Sequence, residues 1–107
     1  MTTVRSFDHG KIFYAVDGDT LDIELDLGFY VKFKQRFRML RIDAPERGQP
    51  GYAEATLHLK SYEGRACVIQ STKTDKYGRY LVELTVDGLN INQDMLDLGL
   101  AVPYVLR

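Results

Sequence analysis

The residues best suited to chemistry stand in three short strings, VDGDT at 16–20, FRMLRIDAPE at 37–46 and TDKYGR at 74–79. In the first, Asp19 shares its parity with Leu21, Ile23, Leu25 and Leu27 of the alternating segment that follows, so a straight strand would turn its charge toward the apolar side. A carboxylate placed there must be hydrated, hydrogen bonded or bound to a cation. Asp17 is read as a turn former in the Asp17-Gly18 bend. Asp22, Glu24 and Asp26, opposite in parity to the leucines, read as a solvated strand face. An EF-hand is excluded, because counting from Asp17 puts Leu21 at position five and Gly28 at position twelve, where carboxyl ligands are required.

In the second string Asp43 and Glu46 flank a rigid Ala44-Pro45 step. Alone, this is a strand ending in a proline turn. If strand pairing brings Asp43 to Asp19, the two carboxylates repel unless a hard cation lies between them, and calcium or magnesium fits. Lys32, Lys34, Arg36 and Arg38 form one alternating row; the lysines read as a wet strand face. Arg38, nearest Asp43, can aim a planar guanidinium at a phosphate. In the third string Arg79 follows a glycine turn and opens a strand, with Lys76 and Tyr77 placed for phosphate and base contacts.

The elements that position these groups follow from periodicity. Residues 11–16 and 20–27 read as strands flanking a hairpin turn at Asp17-Gly18, whose residues tolerate positive φ. After Gly28, a long third strand puts Phe29, Val31, Phe33, Phe37 and Met39 on one face, and the apolar parity changes at Leu40 and Ile42, which predicts a bulge or a strand crossing between two sides of a curled sheet. DAPERGQPG is a loop, followed by an amphipathic helix with Tyr52, Ala55, Leu59 and Tyr62 on its apolar stripe and Gly64 as its stop. RACVIQS and RYLVELTV are strands four and five, Asp87-Gly88 is a turn, and Asn92 is expected to cap a short helix over QDMLDLG. Five strands with a helix between the third and fourth match the oligonucleotide-binding (OB) fold, a β-rich α+β Greek-key barrel; a half-open sheet of the same strand order remains an alternative.

The 107 residues suit a single domain over 1–107. Hydrophobic content of 45% with 27% charged residues describes a globular chain. No apolar run approaches the roughly 20 residues of a membrane helix. The start lacks a signal-peptide pattern, so the chain as given reads as intracellular, with a removed leader left open. Cys67 is the only cysteine and the histidines are His9 and His58, which excludes an intrachain disulfide and a zinc-type cluster and leaves oxygen ligands for any metal. The net charge of −1 argues against polyanion binding over the whole surface, but residues 32–47 hold six Lys and Arg against Asp43 and Glu46.

Taken in order, VDGDT, FRMLRIDAPE and TDKYGR, followed by GLAVPYV, resemble the staphylococcal nuclease (thermonuclease) family over about residues 10 to 106. The resemblance implies an OB-fold barrel and a calcium-dependent phosphodiesterase acting on DNA and RNA. It implies Asp19 and Asp43 as calcium ligands, with the Ala44 carbonyl as a third where the familiar secreted member has threonine. Glu46 resembles the carboxylate that orients or deprotonates the attacking water, and Arg38 and Arg79 resemble the arginines that grip the scissile phosphate. Lys76, Tyr77 and Tyr104 resemble the lining of the nucleotide cleft. The chain departs from that pattern in a shorter loop after Glu46, in Leu106 where a second cleft tyrosine is expected, and in ending at Arg107 before the usual last helix, which leaves room for a homo-oligomer or a partner protein.

The expected function is therefore a nuclease of low sequence specificity that prefers single strands and leaves 3′-phosphate and 5′-hydroxyl ends. The alternatives are an OB-fold module that binds nucleic acid without cutting it and an OB domain that binds protein, which would show neither calcium binding nor salt-dependent DNA affinity.

Overall fold

In the computed structural model, which describes residues 4–74 and 79–104, the alternating segments become strands of one curled sheet. β1 (Arg5–Ala15) pairs antiparallel with β2 (Thr20–Asp26), and β3 (Lys32–Met39) pairs with β2 from Thr20 opposite Arg38 to Asp26 opposite Lys32. There follow β4 (Ile42–Asp43), α1 (Tyr52–Lys60), β5 (Ala66–Thr74), β6 (Tyr80–Val86), β7 (Leu89–Asn90), α2 (Ile91–Asp97) and β8 (Val102–Pro103). The main sheet runs β3-β2-β1-β5-β6-β7, and a parallel contact between β3 and β6, Phe37 opposite Tyr80 and Met39 opposite Val82, joins its ends. Five long strands thus close into the OB-like barrel, and the half-open sheet is set aside. No helix among the described residues is long and apolar enough to cross a membrane.

β1 starts at Arg5 rather than Lys11, because Arg5, Ser6 and Phe7 pair with Ser71, Gln70 and Ile69 of β5. Inside the barrel Ile12, Leu21 and Ile23 meet Ile69 and Leu84, with Leu59 and Met95 arriving from the two helices, all fully buried. Each such side chain contributes about 1.5–3 kcal/mol of transfer free energy. α1 buries Ala55 and Leu59 as its spacing predicts. It ends at Lys60, and Gly64, at φ 86°, closes the turn beyond and donates its N–H to the Ile12 carbonyl at 2.7 Å.

Three expectations are corrected. Phe29, Val31 and Phe33 are not core: they are 98%, 50% and 48% exposed, whereas Phe37 and Met39 are buried. The β2–β3 hairpin outruns the barrel, since β6 meets β3 only from Phe37 to Met39, and Phe29 and Tyr30 form the hairpin tip with φ of 53° and 62°. Asn92 is not the cap of α2; Asn90 is, accepting from the Gln93 N–H at 2.8 Å. Asn92 lies in the first turn of α2, fully buried, where its Oδ1 accepts from the Leu84 N–H and its Nδ2 donates to the Leu40 and Val82 carbonyls. Finally, neither Asp17 nor Gly18 has a positive φ. Gly18 is there for contact: a Cβ on it would stand 2.8 Å from the Cβ atoms of both Ala44 and Ala55.

Candidate active site

The VDGDT bend is held from within. The Asp17 carboxylate accepts from the Asp19 N–H at 3.1 Å, an Asx-type turn, while the Val16 N–H reaches back to the Thr20 carbonyl at 2.9 Å. Gly18 lets this bend rest on the loop after β4 and on α1, and the Asp19 carboxylate then takes the Ala44 N–H at 2.9 Å. Strand parity does turn Asp19 inward: it is 8% exposed, with Thr20 Oγ1 donating to its other oxygen at 3.1 Å. Burial is the main cause that pushes its pKa up from 3.8 to about 6. The Arg38 charge and the Ala44 N–H oppose that shift, and the nearby Asp17 adds to it.

Arg38 lies opposite Thr20 at the closed end of β3, also 8% exposed. Its guanidinium stands between two acids, 3.5 Å from Asp19 and 3.4 Å from Asp43, and donates to the Met39 carbonyl at 2.9 Å. The Arg38 guanidinium thus offsets the repulsion between Asp19 and Asp43.

Asp43 reaches this point because the chain reverses parity between β3 and β4. Arg41 adopts a left-handed conformation, φ 73°, so the predicted parity switch is made by a two-residue turn, Leu40-Arg41, between two strands rather than by a bulge inside one. β4 then pairs with β8, Asp43 opposite Val102 and Ile42 opposite Pro103. Tyr104 follows, donating its N–H to the Arg41 carbonyl at 2.8 Å and setting its ring 5.7 Å from the Arg38 guanidinium carbon. Sequence reasoning missed this ladder and the Arg41 turn; the only signal was the parity change at Leu40 and Ile42.

These groups line one cleft of about 690 Å³. Asp19, Arg38, Asp43, Ala44, Glu46, Arg79 and Tyr104 all border it, so it gathers every expected site residue that is described. Lys76 and Tyr77 lie outside the described residues. Arg79 arrives on the residue before β6, whose parallel pairing with β3 puts it at the same barrel end as Arg38. Glu46 is exposed at the cleft, its N–H held by the Gln49 side chain at 2.8 Å.

The donors suit a hard cation rather than a soft one. The cleft residues that could hold one, Asp19, Asp43 and the Ala44 main chain, are oxygen donors, whereas among the described residues no three His, Cys, Asp or Glu converge as a metal cage. A cation held here would take its remaining oxygens from water and from a bound phosphate.

Comparisons with known proteins show what the chain is related to. The chain is 35% identical over 98 residues to an uncharacterized endonuclease of Escherichia coli O157:H7, covering 90% of this chain and 61% of that protein. It is 32% identical over 105 residues to protein ParB of Escherichia coli, covering 89% of this chain and 56% of that one. It is 32% identical over 109 residues to an uncharacterized protein of Bacillus anthracis, covering 92% and 49%. The chain therefore spans between about half and three-fifths of the length of these relatives. The family model described as staphylococcal nuclease homologue matches residues 36–107, a stretch that holds Arg38, Arg79, Asp43, Glu46 and the β4–β8 ladder. By that match, over most of its length and through the cleft itself, the chain belongs to the staphylococcal nuclease homologue family.

Proposed function

We propose that this chain is a calcium-dependent phosphodiesterase that cleaves DNA and RNA with little sequence specificity. The observation that carries the reading is the convergence of Asp19, Asp43, Arg38, Arg79 and Glu46 on one cleft. The endonuclease naming of a relative at 35% identity supports it.

A phosphodiester resists attack because its own charge repels nucleophiles. Its hydrolysis calls for positive charge on the phosphate, donors for the charge that builds up, and a group to prepare water. Calcium, when bound, supplies Lewis-acid polarisation of a phosphate oxygen, with Asp19, Asp43 and the Ala44 carbonyl as its protein ligands. Arg38 is rigidly based, since the Met39 carbonyl and two carboxylates fix its plane, so its donors need little reorganisation as charge develops. Arg79 supplies a second guanidinium from the β6 side. Glu46 stands exposed at the cleft and orients or deprotonates the attacking water. Tyr104, 42% exposed and beside Arg38, offers a ring on which a base stacks. Cleavage on the 5′-oxygen side, leaving 3′-phosphate and 5′-hydroxyl ends, and a preference for single strands complete the reading.

The test is cleavage of denatured DNA by the purified chain with calcium. Activity should vanish with a chelator, and Asp19→Ala, Arg38→Ala and Arg79→Lys should each lower kcat by about a hundredfold or more. Arg79→Lys keeps the charge and loses the planar fork, so full activity in that variant counts against phosphate gripping by Arg79. DNA binding without metal-dependent turnover would instead identify a binding module.

A further inference from the structure

Arg41 borders the cleft, yet its side chain turns away to a fork of its own. Nε donates to Glu83 Oε2 at 2.8 Å and an η nitrogen to Glu83 Oε1 at 2.9 Å; the other η nitrogen reaches Gln93 Oε1 at 3.4 Å. Glu83 also accepts from Asn90 Nδ2 at 3.0 Å, and Asn90 caps α2. One residue thereby joins the β3–β4 turn to β6 and to the start of α2. A bidentate guanidinium–carboxylate pair fixes orientation as well as distance.

The backbone of that residue matters as much. Arg41 is left-handed at φ 73°, a conformation that an arginine adopts only when its surroundings hold it there. The turn is bonded on every side: the Leu40 N–H to the Val82 carbonyl at 2.9 Å, the Leu40 carbonyl to Asn92, and the Arg41 carbonyl to the Tyr104 N–H at 2.8 Å. From this turn hang Asp43, two residues on, and Tyr104, across the β4–β8 ladder.

We propose that Arg41, gripped by Glu83, is a positioning residue that holds the turn after β3 in its left-handed form and so sets Asp43 and Tyr104 against Arg38. It acts through those groups and does not itself touch the phosphate. The activity side of this inference rests on the nuclease reading above; the backbone side does not.

The experiment compares Arg41→Ala, Arg41→Gly and Glu83→Gln in the full chain by amide hydrogen exchange and by steady-state cleavage. Glycine keeps the left-handed turn accessible without the fork, whereas alanine loses both. Exchange protection of the Tyr104 amide should fall at least about tenfold in Arg41→Ala and Glu83→Gln and less in Arg41→Gly, with the Leu84 amide, held by Asn92, unchanged as a control. With calcium and single-stranded DNA, kcat should fall by about ten- to a hundredfold in Arg41→Ala and Glu83→Gln, with KM nearly constant and partial recovery in Arg41→Gly. Unchanged Tyr104 protection in Arg41→Ala and Glu83→Gln overturns the proposal, as does a parallel loss at Leu84, which would mean general loosening. A raised KM in Arg41→Ala with no response to Glu83→Gln also overturns it, by making Arg41 a direct phosphate contact. If the wild-type chain cleaves nothing, the nuclease reading fails, and the Tyr104 amide still decides whether the fork holds the turn.

Discussion

Asp19→Asn should abolish cleavage and at the same time stabilise the fold. Asp19 is 8% exposed, and burial, with Asp17 adding to it, lifts its pKa from 3.8 to about 6 against the pull of Arg38 and the Ala44 N–H. The native state thus binds this proton more tightly than the unfolded chain does. Stability from this group is greatest below pH 3.8, falls as the pH rises to about 6, and stays lost above it. The gap between 3.8 and about 6 corresponds to roughly 3 kcal/mol at pH 8, an upper figure because local rearrangement relieves part of it. Asparagine keeps the shape and an oxygen for the Ala44 N–H, and Arg38 keeps Asp43.

Urea unfolding in the presence of a chelator should therefore show Asp19→Asn more stable by about 1–3 kcal/mol at pH 8, with the gain shrinking at pH 5. A thermal melt should move upward by several degrees, since each kcal/mol shifts a chain of this size by about 4–8 °C. A variant less stable than wild type at pH 8, or a gain independent of pH, would show that the ionised carboxylate does not strain the fold.

Three further outcomes follow from other buried contacts. Gly18→Ala places a Cβ 2.8 Å from those of Ala44 and Ala55, so urea unfolding should show a loss of about 1–3 kcal/mol; Ala55→Gly should restore part of it, and simple additivity in the double variant would refute the clash. Asn92→Leu leaves the buried Leu84 N–H and Leu40 carbonyl without their partner and should cost at least about 2–3 kcal/mol by the same assay; a loss below about 1 kcal/mol contradicts the bonding described. Thr56 is 8% exposed with a hydroxyl that finds no hydrogen-bond partner among the described residues, so Thr56→Val should be neutral or stabilising by up to about 1 kcal/mol, and destabilisation would reveal a partner.

Much of this site was legible because a strand reports its two faces through alternation. The parity of Asp19 with Leu21 and Ile23 marked a buried charge before any contact was known, and the change of parity after Met39 marked the place where a second acid enters. Alternation does not say where a barrel ends, however. Phe29, Val31 and Phe33 obey the same pattern as Phe37 and still face solvent, because burial there needs β6 as well as β2. By residue type and place Asn92 reads as the cap of α2; burial overrules that, since Asn92 is drawn to Leu40, Val82 and Leu84 while Asn90 takes the cap. Two-residue strands such as β4 and β8 carry no period at all, and their pairing exists only once the Arg41 turn has formed.

The same contrast bears on how such a cleft is built. The groups nearest the proposed chemistry, Asp19 and Arg38, sit on or beside long strands whose register is fixed by core burial, so a slip by one residue would expose Leu21 and Phe37 together with any loss of the site. Asp43 and Tyr104 have no such protection. They depend on a single left-handed residue and on its exposed hydrogen bonds to Glu83 of β6 and Gln93 of α2, contacts that can change without disturbing the barrel. Substitutions of the core-facing residues Leu21 and Phe37 should accordingly lose fold and function together. Substitutions around Arg41 should separate them, lowering turnover while the urea midpoint hardly moves.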